Sequence, residues 1–298
     1  MPPPSAFLRL IRPKQWIKNL FVFAPLVFAR ELFDPSRVLV ACRAFFVFSL
    51  AASIVYIIND IMDAPADRAH PEKRHRPIAS GIVPVPQALL MLGVLGAGGT
   101  LLLMGMPLKF AFAVSGYVAI NFLYSVRLKD IVLLDVFIVA AGFMLRVLGG
   151  AYAISVQVSS WLVLCSLFIS LFLGFAKRRA ELLLLRKAGL KAERRVLAMY
   201  EVAFLDQMLT IAAAGAVISY ALYTVAPRTV EMFGTDKLIY TTVFVCYGVF
   251  RYLFLIHTTS ETENPTNAVT SDLPILVTGI LWILSCAAII YSGGHLPQ

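Results

Sequence analysis

A chain of 298 residues that is 59% hydrophobic and only 14% charged is no soluble globular domain, in which about 25% of residues carry charge. Its mean hydropathy of +0.81 implies that nearly the whole chain, 1–298, lies in membrane as a single all-α domain. The net charge of +9 is confined to a few loops, so it points to topology and anionic substrates rather than to nucleic acid.

Nine apolar runs are candidate membrane helices: roughly 18–34, 38–58, 84–105, 108–126, 131–153, 159–176, 206–226, 237–257 and 274–293. Most are near the ~20 residues that cross a bilayer. The first is interrupted by Pro25, Arg30 and Glu31. No separate apolar stretch with a cleavage site precedes it, so the first run is expected to be retained as a membrane helix. With the N-terminus inside, eighteen of the 26 Lys and Arg fall on the inner segments 1–18, 59–83, 127–130, 177–205 and 258–273. That bias predicts a C-terminus outside and a multi-pass protein of the bacterial inner (plasma) membrane. Cys42, Cys165, Cys246 and Cys286 each stand alone in an apolar run, which reads as small core residues rather than a disulfide framework or zinc site. The four histidines have no ligand spacing.

In chain order, the opening SAFLRLIRPKQWIKNL interleaves apolar and basic residues. It reads equally as an interfacial anchor or as a segment bringing Arg12, Lys14 and Lys18 to a polar site. The stretch Tyr56 to Pro77 then packs Asn59, Asp60, Asp63 and Asp67 at the mouth of an apolar helix, followed by Arg68, Lys73, Arg74 and Arg76. Carboxylates suit Mg²⁺, and the cations suit phosphate oxygens. Asn59, Asp63 and Asp67 are spaced i, i+4, i+8, one face of a continuous helix. Pro65 predicts that the helix ends near Asp63, with Asp67 in the turn beyond.

A short inner loop, Tyr124 to Asp130, carries Arg127 and Lys129. Asp135 and Arg146 follow in an apolar run, where a charge normally faces a cavity or a partner. Arg146 reads as substrate-facing, or as a structural ion pair with Asp135; three turns apart, the two cannot pair within one straight helix. Gly98-Gly99, Gly142 and Gly149-Gly150 read as close helix packing. Lys177, Arg178, Arg179 and Glu181 lie at the mouth of the sixth run and read as functional. The later charges Arg186, Lys187, Lys191, Arg194 and Arg195 read as an amphipathic surface helix on anionic lipid. The last loop, HTTSETENPTNAVTSD, has no basic residue.

The pattern N-D-x-x-D-x-x-x-D (Asn59 to Asp67) after a membrane helix resembles the UbiA-type membrane prenyltransferase superfamily. The resemblance extends over nearly the whole chain and implies a bundle of about nine transmembrane helices with a Mg²⁺-dependent site at its cytoplasmic end. Usual members carry a second aspartate-rich motif after the sixth helix; here the matching place reads Lys177-Arg178-Arg179-Ala180-Glu181. Four further segments resemble the decaprenyl-phosphate phosphoribosyltransferases within that superfamily: R-P-K-Q-W-I-K-N (Arg12 to Asn19), S-L-A-A-S-I-V-Y-I-I-N-D (Ser49 to Asp60), D-R-x-H-P-x-K-R-x-R-P-I-A (Asp67 to Ala79) and K-R-x-A-E-L (Lys177 to Leu182). The resemblance implies transfer of 5-phosphoribosyl from 5-phosphoribosyl 1-diphosphate (PRPP) to polyprenyl (decaprenyl) phosphate with release of diphosphate. In actinobacteria that product leads to the arabinose donor for cell-wall arabinan.

On this resemblance Asn59 and Asp63 are expected to hold Mg²⁺ on the donor diphosphate, with Asp60, Asp63, Asp67 and Lys73 as the candidate catalytic residues. Lys18, Tyr56 and Lys73 are expected to contact PRPP. Arg76, Lys129 and Arg146 are expected to bind phosphate, at least one of them on the acceptor, and Lys177, Arg178 and Glu181 to complete the second wall. The lipid tail is expected to lie between helices, open to membrane lipid. Oligomeric state is not set by the sequence, and a homo-oligomer is compatible with it. Two other classes remain: a prenyltransferase moving a prenyl group from a prenyl diphosphate to an aromatic or other acceptor, and a non-catalytic lipid-binding protein or transporter. The absent second aspartate motif argues against the first and the dense acidic stretch against the second.

Overall fold

Apolar runs in a solvent without hydrogen-bonding partners must satisfy their backbone internally, and helices do so within one segment. The computed structural model describes residues 2–69, 73–188, 195–258 and 271–292, and among them there is no strand. Among the described residues, eight helices are long and apolar enough to cross a membrane. They divide between two compact units, Met1–Leu128 with Gly142–Val158, and Lys129–Ala141 with Ser159–Gln298.

The first unit opens with helix α1 (Pro4–Ile11), which starts on proline and is closed by Arg12 in the left-handed conformation, φ 55°. Ala6 and Leu10 bury its inner face against Ile57, Ala64 and Ile78. The expected first span, 18–34, is not one α-helix. A 3-10 helix of 11 residues, Pro13–Phe23, runs directly into α2 (Ala24–Phe28), whose 5 residues end at a left-handed Arg30. The reason is a period of three. In a 3-10 helix residues i and i+3 eclipse, and Trp16, Asn19 and Val22 form the docked stripe, while Lys14, Ile17 and Leu20 are exposed. At ~2.0 Å per 3-10 residue and ~1.5 Å per α residue the two pieces rise about 30 Å, comparable with the hydrocarbon thickness of a bilayer.

Helix α3 (Pro35–Ala69) begins at an Asp34 cap, whose Oδ1 accepts from the Ser36 and Arg37 amides at 2.8 and 3.3 Å. The Ser36 hydroxyl, donating to the same oxygen at 2.7 Å, and then those amide bonds hold the Asp34 carboxyl below its ordinary range. The helix has 35 residues, roughly 50 Å at ~1.5 Å each, so its last turns overrun a hydrocarbon core of ~30 Å. It does not end near Asp63. Pro65 lies inside it, on an exposed face. Proline removes only its own amide bond and crowds the carbonyl four residues earlier, and an exposed position beyond the hydrocarbon lets water satisfy that carbonyl. Helices α4 (Val85–Leu103) and α5 (Leu108–Val126) follow, then α6 (Leu134–Ala153), whose residues from Gly142 belong to this unit. The core joins Phe48, Phe110, Val114 and Tyr117, with Phe48 edge-on to both Phe110 and Tyr117.

In the second unit α7 (Ser160–Ala188) has 29 residues and runs well past the expected end at 176. A short α8 (Arg195–Ala198) precedes α9 (Val202–Val225), α10 (Pro227–Phe233), α11 (Thr242–Thr258) and α12 (Leu273–Ser292). Small residues on α9, Ala212, Ala213 and Gly215, let it approach α7 closely, with Phe168 against Gly215. Of the later charges expected on a surface helix, Arg186 and Lys187 close α7, and Lys191, Arg194 and the Arg195 side chain lie outside the described residues, as does most of the last loop. All four cysteines are free thiols, Cys286 buried and the others half-buried.

The glycines divide. The Phe48 ring sits over Gly149 and the Val22 backbone over Gly150, whereas Gly99 has nothing within 4 Å and Gly98 only Leu50 at 3.7 Å. Close packing therefore accounts for Gly149-Gly150 and not for Gly98-Gly99. Gly150→Ala sets a methyl on the Val22 carbonyl, which is backbone and cannot rotate away. It should destabilise by about 1–3 kcal/mol or more, and Gly99→Ala should be neutral or gain up to about 1 kcal/mol of helix propensity. Thermal unfolding of the two variants in detergent checks the difference in sign.

Candidate active site

The continuity of α3 sorts its polar residues. At about 100° per residue, Asp63 lies ~40° around the helix from Asn59, while Asp67 and Asp60 lie ~80° and ~100° away, nearly in line with each other. Asp60 and Asp67 are buried, at 2% and 4% exposure. Asn59 and Asp63 are half-buried. The buried pair is compensated by guanidinium groups. Arg76 Nη1 donates to Asp67 Oδ2 at 2.8 Å and to Asp60 Oδ1 at 3.2 Å, and Arg12 Nη2 donates to the same Asp60 oxygen at 2.5 Å. Arg76 is placed by the residues after it: Pro77, Ile78 and Ala79 are buried, and the Val83 amide closes onto the Pro77 carbonyl at 2.8 Å. Lys73 starts the short 3-10 turn just before it.

Arg12 also lies over the Tyr56 ring, 5.1 Å from its centroid. The opening motif is thereby docked along α3. Trp16 Nε1 donates to Ser53 Oγ at 3.1 Å, and Asn19 Nδ2 to Ser49 Oγ at 3.0 Å. Asn19, fully buried, turns its oxygen to Arg146, whose Nε donates at 2.6 Å. Arg146 gives its other bonds to the Gly142 carbonyl at 2.8 Å and the Tyr117 hydroxyl at 2.9 Å, and its charge sits over the Tyr117 ring at 4.5 Å. A methyl at Gly142 would meet Arg146 Nη1 and the Tyr117 ring only at ordinary contact distance, 3.4 and 3.5 Å. Arg146 is 5% exposed, and these partners are all neutral. Pairing with Asp135 does not occur, because Asp135 is taken elsewhere. A buried guanidinium held by neutral groups keeps its positive charge available to an anion. Tyr56 stands half-buried on α3 and Lys18 half-buried on the 3-10 helix.

In the second unit the expected residues gather around Asp135, which is fully buried. Arg178 Nε donates to Asp135 Oδ2 at 2.5 Å, and its Nη1 to Glu181 Oε2 at 2.6 Å. Lys177 is the exposed member, 3.8 Å from the other Glu181 oxygen. Tyr200 donates to Asp135 Oδ1 at 2.7 Å and accepts from the Leu133 amide at 2.8 Å. Burial, and then the bond to Asp135, push the Tyr200 phenol above its ordinary range, so it stays protonated. Lys129 lies half-buried on the 3-10 turn Leu128–Asp130. Arg179 is set apart from the others: it ties α7 to Asp206 at 2.5 Å and to the Ile256 carbonyl at 2.8 Å.

Sequence reasoning thus found the carboxylates and missed their organisers. Arg12 was weighed only as a member of a basic segment. Asn19, Tyr117 and Tyr200 were not singled out, and Tyr200 has no sequence signal at all, since its partners stand 65 and 67 residues away. Arg76, expected to bind phosphate, and Arg178, expected in the second wall, each hold two carboxylates.

Do these residues suit Mg²⁺? Among the described residues no group of three or more His, Cys, Asp or Glu forms a metal cage. The Oδ2 atom of Asp60, however, is buried and takes no hydrogen bond from the described residues, and Asn59 and Asp63 stand half-buried on the same last turns of α3. Mg²⁺ keeps several waters and binds through one or two carboxylates plus substrate phosphates, so this oxygen-only set fits it.

The sequence matches the UbiA prenyltransferase family over residues 20–273. It is 38% identical over 223 residues to the decaprenyl-phosphate phosphoribosyltransferase of Mycolicibacterium smegmatis, covering 74% of this chain and 70% of that one. With the enzyme of the same name from Corynebacterium glutamicum it shares 36% over 229 residues, 74% of this chain and 67% of that one. Among solved structures, a UbiA homologue from Archaeoglobus fulgidus bound to GPP and Mg²⁺ superposes with a TM-score of 0.71 over 96% of this chain and 100% of that chain, at 21% identity.

Arg146 gives a direct test of its role. Arg146→Met removes a charge that no described carboxylate needs but leaves the buried Asn19 oxygen without its donor, so the thermal midpoint should fall by about 4–10 °C. If the charge serves a substrate anion, turnover should fall by about 10²-fold. Thermal unfolding and steady-state turnover on the same preparation separate the two; a large loss of stability with normal turnover per folded molecule defeats the assignment.

Proposed function

Because the chain belongs to the UbiA prenyltransferase family, we propose that it is a membrane transferase that moves 5-phosphoribosyl from PRPP to a polyprenyl phosphate such as decaprenyl phosphate, releasing diphosphate. We read 1–298 as one domain of that family with its reacting end in the cytoplasm, as the distribution of Lys and Arg favours. The observation that carries the reading is the end of α7. Glu181, the carboxylate there, is engaged by Arg178 and faces Lys177. A prenyl diphosphate site of the two-metal kind needs carboxylates with free oxygens at that place; a phosphate monoester needs cations. The likeness to the phosphoribosyltransferases of M. smegmatis and C. glutamicum supports the same choice.

The chemistry follows from the substrates. The bond from the ribose C1 to the diphosphate oxygen breaks, and an oxygen of the acceptor phosphate bonds to C1. The acceptor is already largely ionised at pH 7, since its second pKa is near 6, so no general base is required. Asn59 and Asp63 would hold Mg²⁺. When bound, it neutralises the charge that develops on the leaving diphosphate. Lys18, Tyr56 and Lys73 contact the phosphoribosyl donor, and Arg146 takes a substrate phosphate. Arg12 and Arg76 hold Asp60 and Asp67 in place, so that the carboxylate edge is preformed rather than assembled at each turnover. Lys129 and Lys177 face the acceptor phosphate. The remaining work is alignment of two bound substrates.

Purified protein supplied with PRPP, decaprenyl phosphate and Mg²⁺ should yield a phosphoribosylated lipid and one diphosphate per lipid. Radiolabelled prenyl diphosphate with aromatic acceptors and no PRPP should give no transfer; efficient prenylation would return the chain to the aromatic prenyltransferases. Asp63→Asn keeps size and removes charge. It should lower turnover by about 10²-fold or more while the protein still folds, because Asp63 is half-buried at the overrunning end of α3. Near-normal turnover in that variant would remove Asp63 from the site.

A further inference from the structure

One phenolic oxygen in the second unit joins the two lysine-bearing segments. Through the Leu133 amide, Tyr200 Oη fixes the turn that carries Lys129 four residues upstream. Through Asp135 it fixes Arg178, then Glu181, and so the carboxylate 3.8 Å from Lys177. The phenol has one proton to donate, and it goes to Asp135. One of its lone pairs takes the Leu133 N–H. Asp135 is fully buried with both oxygens used, and Tyr200 is 2% exposed. Its ring is braced by near-parallel stacking on Phe204, centroids 6.2 Å apart.

Two features distinguish this from ordinary core packing. Leu133 is held at φ 69°, a conformation that bulky L residues avoid and that persists where the surroundings over-determine it, most often at functional sites. And the network ends on groups that reach solvent: Lys177 with its side chain 56% exposed and Glu181 with 31%. A purely structural ion pair would close on itself inside the core.

We propose that Tyr200 and Asp135 are positioning residues that preset Lys129, Lys177 and Glu181 to receive the phosphate of the lipid acceptor. The proposal rests on the phosphoribosyl-transfer reading above for the identity of that acceptor. Neither side chain touches substrate. Each acts by fixing the direction from which the ammonium groups meet the anion, which a flexible lysine stem does not fix for itself.

The test uses the full chain in lipid nanodiscs. Equilibrium binding of decaprenyl phosphate is measured without PRPP, and KM is measured for each substrate separately. Tyr200→Phe should weaken decaprenyl phosphate binding and raise its KM about tenfold, through misplaced rather than missing cations, with the KM for PRPP within twofold of wild type. Adding Lys177→Gln to Tyr200→Phe should cost less than the two single effects combined, because part of the Tyr200 effect passes through the Lys177 ammonium group. Unchanged lipid binding, equal effects on both substrates, or strictly additive effects overturn the proposal. Asp135→Asn, which keeps shape and one acceptor oxygen, is read the same way if Tyr200→Phe is not recovered folded. Failure of the wild-type protein to make phosphoribosylated lipid sinks the functional reading instead, and the binding measurement still decides the role of Tyr200.

Discussion

A carboxylate buried near the end of a membrane helix has to be compensated before that helix can pack, since the desolvated charge alone is worth several kcal/mol of penalty. Asp60 on α3 and Asp135 on α6 both meet this condition, and in each case arginine meets it. The consequences spread outward. Compensating Asp60 requires Arg12, which in turn requires the left-handed turn after α1 and the docking of the whole opening segment. Compensating Asp135 requires Arg178 one helix later and Tyr200 from the segment beyond. The N-terminal residues are therefore part of the polar site and not merely an interfacial anchor.

Much of this was legible from residue types alone. Eight apolar runs gave helices near their expected places, because hydrophobic length is a strong constraint. The acidic stretch and its basic successors were legible because charges at a helix mouth are hard to explain as packing. The failures have physical reasons. Pro65 reads as a stop, but an exposed proline past the hydrocarbon removes a bond that water replaces, and α3 runs on to Ala69. The run 18–34 reads as one span interrupted by Pro25, Arg30 and Glu31, whereas in the structure its docking residues recur every three positions, which α periodicity does not register. Long-range pairings, such as Arg12 with Asp60 and Tyr200 with Asp135, leave no local trace, so the roles of individual arginines were the least legible part.

The continuity of α3 divides labour within one motif. Had the helix stopped at Asp63, Asp67 would have been free to join Asn59 and Asp63. As an unbroken helix it turns Asp67 into line with Asp60, and Arg76 holds both. Four polar residues in nine positions are thus two pairs in different surroundings: Asp60 and Asp67 buried and held by arginines, Asn59 and Asp63 half-buried on another face of the helix.

Arginine and lysine divide in a parallel way. Arg12, Arg76, Arg178, Arg179 and Arg251 each engage a carboxylate, which suits a planar fork that meets two acceptors at once and stays charged when buried. Lys18, Lys73 and Lys129 are half-buried, and Lys177 is exposed, 3.8 Å from Glu181; the ammonium group is the more compact and more strongly hydrated charge. Arg146 departs from the pattern, being buried among Asn19, Tyr117 and the Gly142 carbonyl. Hydrogen bonds from neutral groups orient a guanidinium without cancelling its charge, and the surrounding rings lower the local dielectric, which strengthens its attraction for any anion that enters. A substrate phosphate arriving beside Arg146 would thus complete an ion pair for which the fold has already supplied one half.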